Sequence, residues 1–210
     1  MPSDALPQSK GRFITLEGGE GVGKTTLIRG LGRLLETQQR SFFLTHQPGG
    51  TELGKQLRQL LLNQSKITLS AKTELLLFLA DKSQHIREVL LPALQTHDFV
   101  ICDRYIDSTY AYQKAPFEKD LTAFYGVCDF AVSELTPDLT LILDIDPRLG
   151  QKRALSRNEG LDTIEQRDMN YHDNVREGFL AKAKEEPKRY AVLDASVSPE
   201  KLLEATVSVF

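Results

Sequence analysis

The stretch GGEGVGKTTL, residues 18–27, constrains the fold of this chain more than any other. Glycine packs no side chain and costs backbone entropy, so four glycines in ten residues indicate a loop shape that other residues cannot adopt. The apolar run RFITLEG precedes this loop, and leucines at helical spacing follow it from Leu27 onward. A strand, a glycine loop and a helix in this order predict the first unit of an α/β fold.

Apolar runs and helical patterns alternate along the rest of the chain, which is typical of a parallel sheet covered by helices. A long helix is predicted over about residues 71–94. We therefore predict an α/β fold with a doubly wound, about five-stranded parallel sheet covered by helices on both faces. We expect one domain over residues 11–210, with a flexible tail at 1–10. The further strands are predicted at SFFLTH, DFVICDR, DLTLILDID and KRYAVLDAS.

Composition excludes several classes of partner. The formal net charge is −3, which gives no general attraction to nucleic acid or to an anionic membrane, and no basic patch with interleaved aromatics occurs. No apolar run approaches the ~18 residues of a membrane span. The two cysteines, Cys102 and Cys128, lie in apolar surroundings and are predicted to be buried free thiols. We expect a cytoplasmic protein with no nucleic-acid or membrane partner.

The loop matches the pattern G-x-x-x-x-G-K-[ST], placed between a predicted strand and a predicted helix. Its backbone N–H groups can point at a phosphate, and the helix N-terminus adds partial positive charge. The lysine reaches the β and γ phosphates, and the following hydroxyl is a ligand for Mg²⁺. The sequence thus predicts a nucleoside triphosphate site at Gly18, Gly19, Glu20, Gly21, Val22, Gly23, Lys24, Thr25 and Thr26.

Many different proteins share this loop, so it does not define the reaction. A GTP-dependent switch would also carry an Asp-x-x-Gly turn and an Asn/Thr-Lys-x-Asp guanine motif. Neither pattern occurs in this sequence. A GTP switch is therefore not favoured.

An Asp-Arg pair ends the third predicted strand, where ligands of a parallel sheet bind. Asp103 can support a metal through its waters, and the planar guanidinium of Arg104 can clamp a phosphate. A surface ion pair that closes the strand would have the same residues. The pair by itself leaves both interpretations open.

Several motifs from residue 13 onward resemble those of thymidylate kinases, and they occur in the order that this family has. They are LTHQPGGTELG, LLFLADKSQHI, ICDRYIDSTYAYQ, RALSRNEGLDTIEQ and LDAS. The resemblance implies a P-loop nucleotide kinase fold and Mg²⁺-dependent transfer of a phosphate from ATP to dTMP, giving dTDP in dTTP synthesis. It also implies a homodimer, and the apolar run at residues 75–79 is compatible with one.

The resemblance also implies roles for individual residues. Phe78 would stack on the thymine ring, Tyr112 would stand against the 2′ position of the sugar, and Glu20 would face the acceptor sugar. Ala195 would contact the adenine of ATP. The other residues of the acceptor site would be His46, Pro48, Gly49, Lys82, Arg104, Ser108, Thr109 and Gln113.

A lid over residues 151–166 would bring positive charge to the phosphates, together with Lys24 and Arg104. Arg153 and Arg157 are four residues apart, so on one helix they would share a face. The glycine loop contains no arginine, and phosphoryl transfer needs a cation at the γ-phosphate. Arg157 is the first choice for that cation.

The chain departs from the family pattern near the acceptor. His46 and Gln47 replace an Arg-Glu pair, Lys82 replaces an arginine, and Thr163 replaces the arginine after Asp162. Lysine offers a point charge where arginine offers a two-pronged donor, so weaker acceptor binding is expected. Two other functions stay open: another deoxynucleoside or nucleoside monophosphate kinase of the same fold, and an NTP-binding protein without acceptor chemistry.

Overall fold

A parallel sheet with the strand order β2-β3-β1-β4-β5 forms the centre of the computed structural model. The structure describes residues 11–62, 67–132, 135–156 and 162–210, so the tail predicted at 1–10 lies outside the described residues. Within this described part the sheet has five strands, which confirms the predicted fold class. The strands are β1 (Arg12–Glu17), β2 (Phe42–His46), β3 (Phe99–Asp103), β4 (Leu139–Asp144) and β5 (Tyr190–Asp194).

Helices cover both faces of the sheet. They are α1 (Lys24–Thr37), α2 (Glu52–Leu62), α3 (Ala71–His85), α4 (Leu91–Thr96), α5 (Ile106–Gln113), α6 (Leu121–Val132), α7 (Pro147–Leu155), α8 (Met169–Glu185) and α9 (Pro199–Val207).

The prediction of a single helix over residues 71–94 is wrong in one respect. A π-helical turn, Ile86–Leu90, separates α3 from α4. Pro92 has no N–H to donate to the carbonyl group of Glu88, so the regular α-helical ladder cannot continue unchanged through this region. The long helix therefore consists of two α-helical parts with a register change between them.

Alternate residues of the central strand point to two separate cores. Phe13 packs with residues of α3, α4 and α6 on one face, while Ile14 packs with residues of α1 and α9 on the other. Burial on both faces explains why the strands are continuous apolar runs. Cys102 and Cys128 belong to the first core, are 0% exposed and form no disulfide, which confirms their prediction as buried free thiols.

The position of β1 decides where ligands can bind. It pairs with β3 on one side and with β4 on the other, and the chain leaves β1 directly into the glycine loop. Such a switch point opens a crevice at the carboxyl ends of the strands. Leu16 lies opposite Asp103 in the register, so the glycine loop and the Asp-Arg pair meet at this edge. Among the helices in the described part of the chain, we find none with the length and apolar character to cross a membrane.

Candidate active site

A cleft of about 710 Å³ lies at the carboxyl edge of the sheet. Four of the predicted site residues do not line this cleft among the described residues. Gly18 and Gly19 line a smaller cavity behind the glycine loop, and Gly49 lies against His46 and Arg58 of the cleft wall. Arg157 lies outside the described residues. The predicted site residues that line the cleft are Glu20, Gly21, Val22, Gly23, Lys24, Thr25, Thr26, His46, Pro48, Phe78, Lys82, Asp103, Arg104, Ser108, Thr109, Tyr112, Gln113, Arg153 and Ala195.

The glycine loop has a backbone that requires glycine. Gly18, Gly21 and Gly23 have φ angles of 133°, 66° and 95°, which side chains rarely allow. The loop also packs closely on the first turn of α7. A Cβ on Gly150 would lie under 3.0 Å from the carbonyl oxygen of Glu20, a separation that real Cβ atoms essentially never show. Gly150 thus allows α7 to support the loop directly.

Lys24 is buried and is held by the loop that it belongs to. Its Nζ donates to the carbonyl oxygens of Gly18 at 3.1 Å and Gly19 at 3.0 Å. Burial, and next the nearby Arg104, lower the pKa of Lys24 to about 8. Phosphate oxygens would favour the charged form, so a bound nucleotide would raise this pKa again.

Arg104 connects the glycine loop with α5. Its Nη1 donates to the carbonyl oxygen of Gly18 at 3.0 Å and to Ser108 Oγ at 3.2 Å, and its Nη2 donates to Glu20 Oε1 at 2.7 Å. Burial alone would raise the pKa of Glu20, but the attraction of Arg104 and Lys24 lowers it to about 2. Glu20 is therefore ionised at neutral pH, and its charge holds the guanidinium at the mouth of the loop.

Residues predicted for the acceptor line the same cleft, and they are called the acceptor wall below. The Tyr112 hydroxyl donates to Glu20 Oε1 at 2.9 Å, so the ring predicted to face the sugar is fixed to the loop. Lys82 Nζ lies 5.9 Å from the centre of the Phe78 ring, as their helical spacing predicted. Lys82 is 2% exposed, and burial lowers its pKa. Thr109 Oγ1 is buried and has no hydrogen-bond partner among the described residues.

Arg58 is a cleft residue that the sequence analysis missed. Its Nη1 donates to the carbonyl oxygen of Pro48 at 2.9 Å, and its side chain packs on Gly49. Burial, and next Arg58, lower the pKa of His46, which is therefore neutral at pH 7. A guanidinium thus lies close to the position where His46 replaces the arginine of the family pattern. Arg58 lies outside every motif noted in the sequence, and only the packing of α2 brings its side chain to the cleft. It could therefore not be predicted as a site residue.

Buried polar contacts beneath the Pro-Gly-Gly loop were also missed. Gln47 Nε2 lies 2.8 Å from His85 Nδ1, and His85 Nε2 lies 2.7 Å from Thr45 Oγ1. Burial lowers the pKa of His85 to about 4, so the ring is neutral. With Gln47 donating to Nδ1, the His85 proton lies on Nε2 and is donated to Thr45. The backbone N–H of Gly49 donates to Asp81 Oδ1 at 3.0 Å, which holds the loop against α3.

The described parts of the lid contact two different elements. Arg153 Nη1 donates to the carbonyl oxygen of Ala195 at 2.9 Å, at the loop after β5. The Thr163 hydroxyl donates to the carbonyl oxygen of Leu61 at 3.2 Å, at the end of α2. Helix α7 ends at Leu155, and Arg157 lies outside the described residues. The prediction that Arg153 and Arg157 share one helix face therefore stays a prediction.

The oxygen atoms at the cleft suit a magnesium ion. Asp103 Oδ1 is buried and has no hydrogen-bond partner among the described residues, and Thr25, the second residue of α1, lines the same cleft. Mg²⁺ bound with a triphosphate typically uses one or two such side-chain oxygens, phosphate oxygens and waters. These residues therefore fit the predicted metal.

A glycine loop between β1 and α1, with Lys24 and Arg104 in one cleft, defines a P-loop nucleotide-binding protein of the α/β class. The family model "Thymidylate kinase" matches residues 16–206. The chain belongs to the thymidylate kinase family.

Individual relatives cover nearly the whole chain. The thymidylate kinase of Solidesulfovibrio magneticus is 43% identical over 203 residues, which span 94% of this chain and 97% of that protein. The thymidylate kinase of Protochlamydia amoebophila is 40% identical and spans 97% of this chain and 92% of that protein. The crystal structure of thymidylate kinase from Ehrlichia chaffeensis is similar with a TM-score of 0.76 at 30% identity, over 95% of this chain and 98% of that one.

Proposed function

We propose that this protein transfers the γ-phosphate of ATP to dTMP, giving ADP and dTDP in dTTP synthesis. The observation that carries the proposal is the position of Arg104, which contacts the phosphate loop at Gly18 and Glu20 and the acceptor wall at Ser108. One guanidinium at this junction can contact both phosphates. Family membership supports the same reaction.

Catalysis then requires positioning and charge neutralisation, without a covalent intermediate. Lys24 would leave the two loop carbonyls for the β and γ phosphates. Thr25 and, through water, Asp103 would hold Mg²⁺, which would supply further neutralisation of the phosphates. Arg153 and Arg157 of the lid would close over the nucleotide, with Arg157 as the cation at the transferred group.

The acceptor wall supports a preference for thymine and deoxyribose. Phe78 offers a flat apolar face to a base. Lys82 Nζ, above this ring, can donate to the O4 carbonyl of thymine, whereas the N4 amine of cytosine would present donor against donor. The Tyr112 ring, fixed through Glu20, would leave a 2′ hydroxyl without space.

An ADP-release assay with each nucleoside monophosphate tests the proposal. Turnover with dTMP above all other acceptors is expected. Turnover with another monophosphate alone would favour a different nucleotide kinase, and ATP binding without turnover would favour a protein without acceptor chemistry. Lys24→Ala should lower kcat by ~10²–10³, because one transition-state contact is lost. Circular dichroism of this variant checks that the fold is retained.

We also propose that the protein is a homodimer. Phe130 and Val127 on α6 and Leu76 on the adjoining α3 are 87%, 37% and 50% exposed. Exposed apolar side chains on adjoining helices favour association, since burial of each is worth ~1.5–3 kcal/mol. Light scattering should give twice the chain mass, and Phe130→Asp should give the single-chain mass. A cytoplasmic location stays a prediction.

A further inference from the structure

Helix α5, which carries Ser108 and Tyr112, has no capping side chain of its own. Tyr105 stands at its N-cap position, and the Tyr105 side chain makes no capping bond. The first N–H groups of a helix need acceptors when they are buried. An acceptor comes instead from another element of the fold.

Glu17, the last residue of β1, supplies it. Its Oε1 accepts the backbone N–H groups of Tyr105 at 2.7 Å and Ser108 at 3.3 Å, and its Oε2 accepts the Ser108 hydroxyl at 2.6 Å. Glu17 is 0% exposed. A carboxylate from β1 therefore caps α5, and the residue that follows it is Gly18 of the phosphate loop.

The Ser108 hydroxyl links this carboxylate to Arg104. Its one proton goes to Glu17, so a lone pair is left for Arg104 Nη1 at 3.2 Å. The result is a directed chain from guanidinium to hydroxyl to carboxylate.

The backbone of Arg104 needs support as well. Its φ angle is 67°, in the left-handed region that a non-glycine residue adopts at an energetic cost. Its N–H donates to the carbonyl oxygen of Leu16 at 2.9 Å, and the next N–H donates to Glu17. Two consecutive residues of β1 thus hold the strained residue on both sides.

We propose that Glu17 is a positioning residue for phosphoryl transfer: it caps α5, fixes Arg104 through Ser108, and so joins the phosphate loop and the acceptor helix into one rigid unit. This inference rests on the proposed function. Glu17 is fully buried and does not line the cleft, so its effect reaches the reaction through Arg104.

Glu17→Gln, assayed at about pH 8, is the first test, because at this pH Glu17 is an ionised carboxylate that only accepts hydrogen bonds, whereas the amide of the same shape also donates them. The single oxygen of the amide cannot accept from both the backbone N–H groups and the Ser108 hydroxyl. One of these contacts therefore meets the amide NH₂ group, and the hydrogen bond there must reverse its direction or break. Since a misplacement of ~1 Å can cost ~10²-fold, we expect kcat to fall by about tenfold or more. The KM for ATP should change by less than about threefold, because the phosphate loop itself is intact.

A double-mutant cycle with Ser108→Ala tests the route. If Glu17 acts through Ser108, the double variant should be no more than about threefold worse than the worse single variant. Multiplication of the two losses, or a wild-type kcat in Glu17→Gln, would overturn the proposal. Should Glu17→Gln not fold, Ser108→Ala keeps the link testable: its kcat should fall, and a wild-type kcat there would overturn the proposal.

Asp107→Asn is the matched control. Asp107 is a second buried carboxylate on α5, but it accepts from the Tyr190 hydroxyl and pairs with Arg189 rather than with Arg104. Its amide should lower the melting temperature while kcat stays within about threefold of wild type. The same kcat loss as in Glu17→Gln would mean general loosening of α5 and would overturn the proposal. The wild-type assay with dTMP decides the proposed function separately, so the two failures are distinguishable.

Discussion

The substitution Gly150→Ala should favour helix α7 but displace the phosphate loop that packs on it. Gly150 lies in the first turns of α7, where alanine favours the helix by up to ~1 kcal/mol. The added Cβ would lie under 3.0 Å from the carbonyl oxygen of Glu20, which is backbone and cannot rotate away. The loop or α7 must therefore move.

The size of the displacement determines the expected loss of activity. Restoring ordinary contact requires a shift on the order of 0.5–1 Å, and a misplacement of ~1 Å can cost ~10²-fold in rate. We expect kcat to fall about 10- to 100-fold. Overpacking costs ~1–3 kcal/mol, which the helix propensity partly offsets, so the free energy of unfolding should change by less than ~2 kcal/mol.

Gly126→Ala is the matched control for helix propensity. Gly126 lies within α6, and a Cβ there would meet nothing within 4 Å. This variant should gain ~0.5–1 kcal/mol of stability at unchanged kcat. Urea unfolding, the ADP-release assay and light scattering are measured on both variants. A Gly150→Ala protein with wild-type kcat would refute the idea that α7 positions the loop.

Three further outcomes are expected. Burial, and next Asp107, raise the pKa of Glu17 from 4.5 to about 7, so between these pH values the native state binds more protons than the unfolded state. The free energy of unfolding of the wild type should therefore fall relative to that of Glu17→Gln, by up to ~3 kcal/mol from pH 5 to 8. Parallel dependence of the two melting temperatures on pH would contradict this. Because of Tyr112, kcat/KM should be higher for dUMP than for UMP, and equal values would remove this role. The double variant His46→Arg/Lys82→Arg should lower the KM for dTMP about tenfold and leave the KM for ATP unchanged, because charge-assisted hydrogen bonds are worth ~1.5–3 kcal/mol. A change in the KM for ATP alone would mean that the acceptor site is wrongly placed.

The parts of the fold with local signals could be predicted from the sequence. Each of the five strands lies within a predicted apolar run, and the glycine loop follows β1 as its pattern required. The register change after α3 was not predicted, because the apolar pattern continues through Ile86–Leu90 and only the missing N–H of Pro92 indicates it.

Contacts between distant parts of the chain could not be predicted in this way. Glu17 is an ordinary polar residue at a strand end until α5 folds above it, and Arg58 lies on α2 beyond the end of the LTHQPGGTELG motif. The left-handed φ of Arg104 also has no sequence signal, since glycine is absent there. These features depend on which elements become neighbours.

The two buried cysteines make the folded chain resistant to thiol reagents. Cys102 and Cys128 are the only cysteines in the sequence, and burial raises the pKa of both thiols. Alkylation therefore requires a transient opening that exposes the core, and its rate reports how often that opening occurs. Ligands that bind only the closed state slow the labelling in proportion to their occupancy. ATP and dTMP affinities thus become measurable by mass spectrometry on unmodified protein, without turnover.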